Sequence, residues 1–227
     1  MIAMHVSHNW KISCGGSIVG MLAVENVDNR AQDAALAEQM KIVEISLKQR
    51  FPSREALSSD PIIQAYQDYY KKFRKSYHVR LQIESIALKG KPIPRVSPLV
   101  EAMFMAELED RMLTAGHDLD SVDPPISLNV SDGTEIYSLM NVKEQVLKKD
   151  DMAISDATGI LSSIIYGPDR RTRITKRTTR AIFFIYAPPG IGAKRVSDHM
   201  DRLFFHINIF AQDARLVAKE LFTAPAK

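Results

Sequence analysis

The sequence predicts a mixed α/β fold that is helix-rich in its N-terminal half and contains a mixed sheet in its C-terminal half. Apolar residues recur at helical spacing in the first half, whereas from Ile126 onward they alternate as in strands. The chain has 227 residues, 45% of them hydrophobic, which is enough to bury a sizeable core. These observations favour one compact domain over residues 1–227.

The first elements are a predicted strand pair over residues 11–27 and a helix over residues 31–50. One face of that helix carries apolar residues at helical intervals, namely Leu36, Met40, Val43 and Leu47. Asp60 followed by Pro61 predicts the start of a second helix, because aspartate caps and proline fits the first helical position. The buried stripe of this helix is predicted to be Ile62, Tyr66, Tyr69 and Phe73.

A further short helix is expected over residues 79–88, and glycine and two prolines then interrupt the chain at residues 89–94. We place a boundary there, between an N-terminal extension over residues 1–94 and a core over residues 95–210. The core begins with a helix over residues 99–109 that is apolar nearly all round, which predicts a buried position.

Strands are predicted to follow in pairs. Residues 126–130 and 136–139 are expected to form a hairpin through Asp132-Gly133, a strong turn signal. A second pair spans residues 152–155 and 160–166. The remaining elements are a short apolar strand over residues 181–186, a helix over 193–205, and residues 215–221, which fit either a helix or a strand.

Composition narrows the classes of protein to which the chain can belong. A single cysteine, Cys14, favours a reducing compartment, so we expect a cytoplasmic protein. The longest apolar runs have seven residues, against roughly 20 for a membrane span, so no membrane association is expected. The six histidines do not have the spacing of zinc ligands, so we predict no metal site. The glycines of residues 188–194 lack the spacing of a phosphate-binding loop, and we predict no cofactor.

Positive charge is concentrated in one segment, which we call the basic segment, residues 170–180. It carries +6 while the remainder of the chain carries −3, giving the formal total of +3. Cations in such a segment neutralise RNA phosphates, although a solvated basic loop fits equally well. The RNA-binding candidates are Arg170, Arg171, Arg173, Lys176, Arg177 and Arg180.

A second basic group, between Lys71 and Arg80, is interleaved with aromatic residues, and the helical periodicity assigns at least two of them, Tyr69 and Phe73, to the core. An acidic turn then follows at His117, Asp118 and Asp120. Aspartates in this pattern commonly cap a turn, and the alternative is a site built from their carboxylates.

Five segments occur together in the order seen in a known family. They are residues 24–29, 98–101, 117–120, 169–178 and 181–186. In this order they resemble the paired third and fourth domains (B3/B4) of the phenylalanyl-tRNA synthetase beta subunit, the tRNA-editing module, here without the synthetase catalytic domain. The resemblance is strongest over residues 95–187. At the position of the family's pocket histidine this chain has Ala115.

The resemblance implies an α/β fold with a cleft, and a protein that binds tRNA or aminoacyl-tRNA and hydrolyses mischarged aminoacyl-tRNA in trans. It does not imply binding of DNA. The alternative is a non-catalytic module that holds a free amino acid or a similar metabolite in the cleft. The cleft candidates are Glu101, His117, Asp118, Asp120 and Asp169. No catalytic residue is assigned among them.

Overall fold

Two main β-sheets and seven α-helices make up the computed structural model, which describes residues 2–30 and 33–226. The predicted mixed α/β class is confirmed. The first sheet is antiparallel, and its strands in spatial order are Arg215–Thr223 (β11), Ile18–Glu25 (β2), Ala181–Ala187 (β10) and Leu113–Asp118 (β3).

The second sheet is mixed, because its first strand pairs in parallel and the others pair antiparallel. Its strands in spatial order are Met4–Val6 (β1), Ile126–Val130 (β4), Met152–Ser155 (β7), Ile160–Ser163 (β8) and Gly167–Pro168 (β9). A separate two-stranded ribbon joins Ile136–Ser138 (β5) to Glu144–Val146 (β6).

The helices lie mainly in the first half of the chain. They are His8–Ser13 (α1), Ala34–Arg50 (α2), Arg54–Ser58 (α3), Pro61–Lys72 (α4), His78–Ala87 (α5), Pro98–Asp110 (α6) and Ala193–Phe210 (α7). A single 3-10 turn, Leu119–Ser121, follows β3. Within the described residues, no helix combines the length and the apolar character that crossing a membrane requires.

The predicted helices α2 and α4 are confirmed, and the local sequence patterns that predicted them are seen in the structure. The apolar stripe of α2 is buried, and the side chain of Asp60 caps α4 by accepting the amides of Ile62 and Ile63. The predicted start of α2 at Ala31 lies outside the described residues. Of the aromatic residues of the second basic group that were predicted to be in the core, Tyr69 is buried and Phe73 is partly buried; Tyr70 and Tyr77 are buried as well.

Two of the predicted pairings are wrong. Residues 11–27 form one strand rather than two, because α1 occupies the first part: Ser7 caps it and its Trp10 is fully buried. The predicted hairpin through Asp132-Gly133 also does not form. Both edges of β4 are already paired, with β1 and β7, so β5 pairs with β6 instead. Residues 215–221, left open by the sequence, belong to β11.

The core is built around β10, whose seven residues are all buried between β2 and β3. Helices α6 and α7 pack on each other, and α7 packs on β2. One apolar cluster runs from Met4 to Ala224 and includes residues on both sides of the break at 89–94. The division into residues 1–94 and 95–210 stays a prediction.

Candidate functional site

A cavity of about 260 Å³ lies where α6 passes the edge strand β3. Residues from α5 and from the chain between β8 and the basic segment complete its wall. Most of the wall is apolar, formed by Val100, Met103, Phe104, Leu113, Ala115 and Ile174. A few polar side chains converge on it, namely His78, Gln82, Glu107, Thr114, Ser163 and Arg173. An apolar cavity with a small number of polar groups is typical of a small-molecule site.

The outer edge of β3 faces Glu107 and the backbone of the basic segment, where an antiparallel bridge joins His117 to Arg173. Strand β3 pairs with β10 on one side, so alternate amides point away from the sheet. Two of these outward amides are occupied: Thr114 donates to Glu107 Oε1 at 2.7 Å, and Asp118 donates to the Thr172 carbonyl at 2.7 Å. The amide of Gly116 lies between them in the alternation and faces the same side.

Gly116 has no room for a side chain. A Cβ atom there would lie 2.9 Å from Ile174 Cδ1, 2.9 Å from Phe183 Cε1 and 3.0 Å from Met103 Sδ. Distances this short require neighbouring groups to shift. Glycine therefore keeps the cavity wall close to the backbone of β3.

Glu107 is a carboxylic acid in an almost wholly apolar setting. It is 3% exposed, and burial raises the pKa of its carboxyl group to about 8, although the Thr114 amide opposes this rise. Among the described residues, the hydrogen bond from the Thr114 amide to Oε1 is the one that this carboxyl group makes. In the sequence, Glu107 is one of three glutamates, with Glu101 and Glu109, in a helix whose other residues are nearly all apolar.

His78 and Thr114 are each held by neighbouring side chains. His78 Nδ1 lies 3.3 Å from the Tyr70 hydroxyl, and burial lowers the pKa of the imidazole, so it is neutral at pH 7. Thr114 Oγ1 lies 2.8 Å from His199 Nε2, and His199 Nδ1 lies 3.0 Å from Asp110 Oδ2. This buried chain of hydrogen bonds joins β3, α7 and the end of α6 behind the cavity wall.

The five cleft candidates lie elsewhere. Among the described residues that line the cavity, none belongs to this set. Glu101 is buried and accepts Arg95 Nε at 3.0 Å and the Val96 amide at 2.9 Å, which fixes the chain entering α6. Asp118 accepts the amide of Asp120 and, from the other oxygen, the Thr178 hydroxyl. These contacts are structural.

His117 and Asp169 are the two cleft candidates that the structure brings together. Both are buried, and His117 Nδ1 lies 3.7 Å from Asp169 Oδ1. Thr172 lies between them, since its hydroxyl donates to Asp169 and contacts His117.

Cys14 is also buried, and burial raises the pKa of its thiol to about 11.

The basic segment divides into paired and unpaired cations. Arg171 contacts both oxygens of Asp156 at 2.9 Å, and Arg180 pairs with Asp120 at 2.7 Å. Within the described part of the chain, the other four cations form no ion pair with a carboxylate: Arg170, Arg173, Lys176 and Arg177. These four are available to an external anion.

The unpaired cations connect two concave surfaces. Arg173 lines the cavity, whereas Lys176 and Arg177 line a second, shallower concavity together with Arg30. The turn that carries Lys176 and Arg177 is anchored at both ends, because buried Asn29 donates to the Thr175 carbonyl and Thr178 donates to Asp118. The positions of these cations are therefore set by the fold.

Within the described residues, no group of three or more His, Cys, Asp or Glu side chains is placed to hold a metal ion. A further basic concavity of about 660 Å³ lies beside Cys14 and includes Lys72, Arg74, Lys148 and Lys149. It differs from the first cavity in being open and rich in exposed lysine.

Comparisons with known proteins leave the family open. No protein-family model matches the sequence, and no curated protein matches it. Among solved structures, the chain is similar to an N-terminal fragment of the phenylalanyl-tRNA synthetase beta subunit from Pyrococcus horikoshii. The TM-score is 0.49 and the identity 12%, over 96% of this chain and 50% of that chain. The chain thus spans about half the length of that fragment, and a similarity at this level does not establish a shared function.

Proposed function

We propose that the protein binds tRNA, with the terminal aminoacyl group in the cavity and the adjacent phosphates on the basic segment. The observation that carries this proposal is the position of Arg173, which belongs both to the cavity wall and to the row of unpaired cations. A ligand that has a small organic group attached to a phosphate chain matches this arrangement. Arginine and lysine side chains supply the charge that phosphates require.

Binding and ester hydrolysis are separate claims. The cavity offers apolar walls that surround a small side chain, and at Gly116 the wall is formed by the backbone of β3. We propose binding as the activity of this geometry, and hydrolysis of mischarged aminoacyl-tRNA in trans as its catalytic extension. Hydrolysis requires that the cavity also admit a water molecule to the ester carbon.

The test is tRNA binding at low salt, measured by fluorescence anisotropy with the wild type and a double charge reversal, Lys176→Glu with Arg177→Glu. We expect the reversal to weaken binding at least about tenfold and to lower the slope of log affinity against log salt by about 2. The matched control is Lys41→Glu with Lys48→Glu, an equal charge change on exposed positions of α2. An equal loss in the control, or no tRNA binding by the wild type, would overturn the proposal.

The same samples report on hydrolysis. Release of the amino acid from a panel of correctly and incorrectly charged tRNAs establishes whether the bound ester is cleaved and which amino acid is removed. Release that is lost with Lys176→Glu and Arg177→Glu would support trans-editing. Binding without release would limit the function to aminoacyl-tRNA binding.

The cavity itself favours a second function. Neither Lys176 nor Arg177 lines it, so a small ligand could bind there without contacting these two cations of the basic segment. In this alternative the protein is a non-catalytic module that binds a free amino acid or a similar small metabolite. Such a ligand should raise the melting temperature of the protein, since it binds the folded state alone. Thermal stabilisation by free amino acids, together with an absence of tRNA binding, would select this function.

A further inference from the structure

The carboxyl group of Glu107 has an unused hydrogen-bonding position at the cavity. One oxygen accepts the Thr114 amide at 2.7 Å, whereas Oε2 has no hydrogen-bond partner among the described residues. No Lys, Arg or His of the described chain lies within ion-pair distance of this carboxyl group. A buried acid of this kind is costly unless a partner compensates it.

We infer that Glu107 recognises an ammonium group, and that the cavity takes a primary amine carried on a small apolar skeleton, as in an α-aminoacyl group. This inference rests on the proposed function, because it takes the cavity as the ligand site and names the chemistry of the group held there. An ammonium group would supply a hydrogen-bond donor to Oε2 and a positive charge that favours the ionised carboxylate.

The residues around Glu107 indicate the chemistry of the rest of the ligand. Val100, Met103 and Ile174 line the same cavity and favour an apolar side chain. Gly116, two residues along β3 from Thr114, lines the same cavity and presents backbone rather than a side chain to the ligand. The amine of an α-aminoacyl group would then lie at Glu107, with its side chain against the apolar wall.

Proton exchange provides a signature of this mode of binding. Because burial holds the pKa of Glu107 at about 8, its carboxyl group is mostly protonated in the empty protein at pH 7. An ammonium group favours the ionised carboxylate, so its binding should release a proton at that pH. A ligand that instead accepted a hydrogen bond from the neutral acid would release none.

The experiment uses leucinamide as the probe, with N-acetyl-leucinamide as the uncharged comparison. Isothermal calorimetry at pH 7 in two buffers of different ionisation enthalpy measures both affinity and proton release. We expect leucinamide to bind with release of a proton and the acetylated compound to bind at least about tenfold more weakly. Equal binding of the two compounds, no binding of leucinamide, or proton uptake would overturn the inference.

Two variants locate the effect at Glu107. Glu107→Gln keeps an oxygen for the Thr114 amide and should lose the preference for leucinamide over its acetylated form. Glu109→Gln, on the same helix but bonded to His206 at 2.6 Å and outside the cavity wall, should keep it. If Glu107→Gln does not fold, the two ligands and the proton count on the wild type still decide the question.

Failure of this inference and failure of the proposed function are distinguishable. Leucinamide binding without tRNA binding would retain the role of Glu107 and remove the tRNA proposal. Binding of tRNA that does not depend on a free amino group of the aminoacyl moiety would do the reverse.

Discussion

The imidazole of His117 lies 2.7 Å, Nδ1 to Oγ1, from the hydroxyl of Thr172, and its other nitrogen lies 3.3 Å from Ser162 Oγ. This ring is completely buried, and burial lowers its pKa although Asp169 opposes the effect, so it is neutral at pH 7. The two contacts join β3 to the basic segment and to β8. His117 therefore holds together the two sheets beneath the cavity.

Replacing this residue should destabilise the fold. We expect His117→Ala to lower the free energy of unfolding by about 2–4 kcal/mol, since it removes a fully buried ring, leaves a cavity and breaks the contacts to Thr172 and Ser162. Urea unfolding at pH 7 measures the loss. His8→Ala, at an exposed histidine, is the control and should change stability by less than about 0.5 kcal/mol. A loss below that limit for His117→Ala would contradict its structural role.

Stability should depend on pH through Glu107. The pKa of this carboxyl group is raised in the folded protein, so between the unfolded value and about 8 the folded state binds more protons than the unfolded state. The contribution of Glu107 to the free energy of unfolding is therefore complete at low pH and is lost as the pH rises towards 8. Glu107→Gln should remove this part of the dependence and make the protein more stable than the wild type at pH 8.5, with a smaller difference at pH 5.5.

Urea unfolding of both proteins across this range provides the test. Asp151, whose pKa burial raises to about 7, gives a dependence of the same sign in both proteins. The difference between the two curves therefore isolates Glu107. Parallel curves would show that Glu107 titrates normally in the folded state.

The lack of space at Gly116 predicts a cost for any side chain. Gly116→Ala should destabilise the protein by about 1–3 kcal/mol, because the new methyl group overlaps Ile174, Met103 and Phe183. Gly192→Ala is the control: this glycine has φ of −78° and open space, so a loss under about 1 kcal/mol is expected. Thermal unfolding compares the two. Equal effects would mean that crowding at Gly116 is relieved by small movements.

The paired and unpaired cations of the basic segment should respond differently to removal. Arg171→Ala should lower stability by about 1–3 kcal/mol, because it strips the buried Asp156 carboxylate of its charged partner. Lys176→Ala with Arg177→Ala should leave stability within about 0.5 kcal/mol, because both side chains are exposed and unpaired. Chemical denaturation of the two variants checks this. A destabilising double variant would show that these cations are structural too.

Cys14 should be unreactive in the folded protein. Its raised pKa, about 11, leaves about 100-fold less thiolate at pH 7.5 than an ordinary cysteine has. Iodoacetamide labelling followed by mass spectrometry should therefore modify the native protein slowly and the urea-unfolded protein rapidly. Rapid, complete labelling of the native protein would contradict the burial of this thiol.

Local sequence signals predicted the helices well. The stripe of α2 and the Asp60 cap of α4 depend on residues within one or two turns of each other, so their spacing is visible in the sequence. The β4 pairing could not be found in this way. Its partner β1 lies more than 100 residues earlier, with Met4 beside Ile126, and the nearby Asp132-Gly133 turn gave a stronger but misleading signal.

The candidate site was harder to predict than the fold. The acidic turn at residues 117–120 was a candidate site because its polar residues interrupt an apolar run. In the structure, Asp118 of this turn accepts hydrogen bonds from the Asp120 amide and the Thr178 hydroxyl. The cavity depends on how α5, α6 and the basic segment pack against the edge of β3, which is a property of tertiary structure. Glu107 is one of three glutamates in the apolar helix α6, and the sequence alone does not show which of them lines a cavity.

The order of strands in the first sheet has a consequence for protein synthesis. Strand β2 is made early, yet both of its neighbours, β10 and β11, lie in the last fifth of the chain. A growing chain therefore carries an apolar strand, Ile18–Glu25, that cannot be paired until residue 181 and beyond have left the ribosome. Exposed strands of this kind fold slowly and associate with other chains. The nascent protein should accordingly depend on chaperones far more than its finished sheet would indicate.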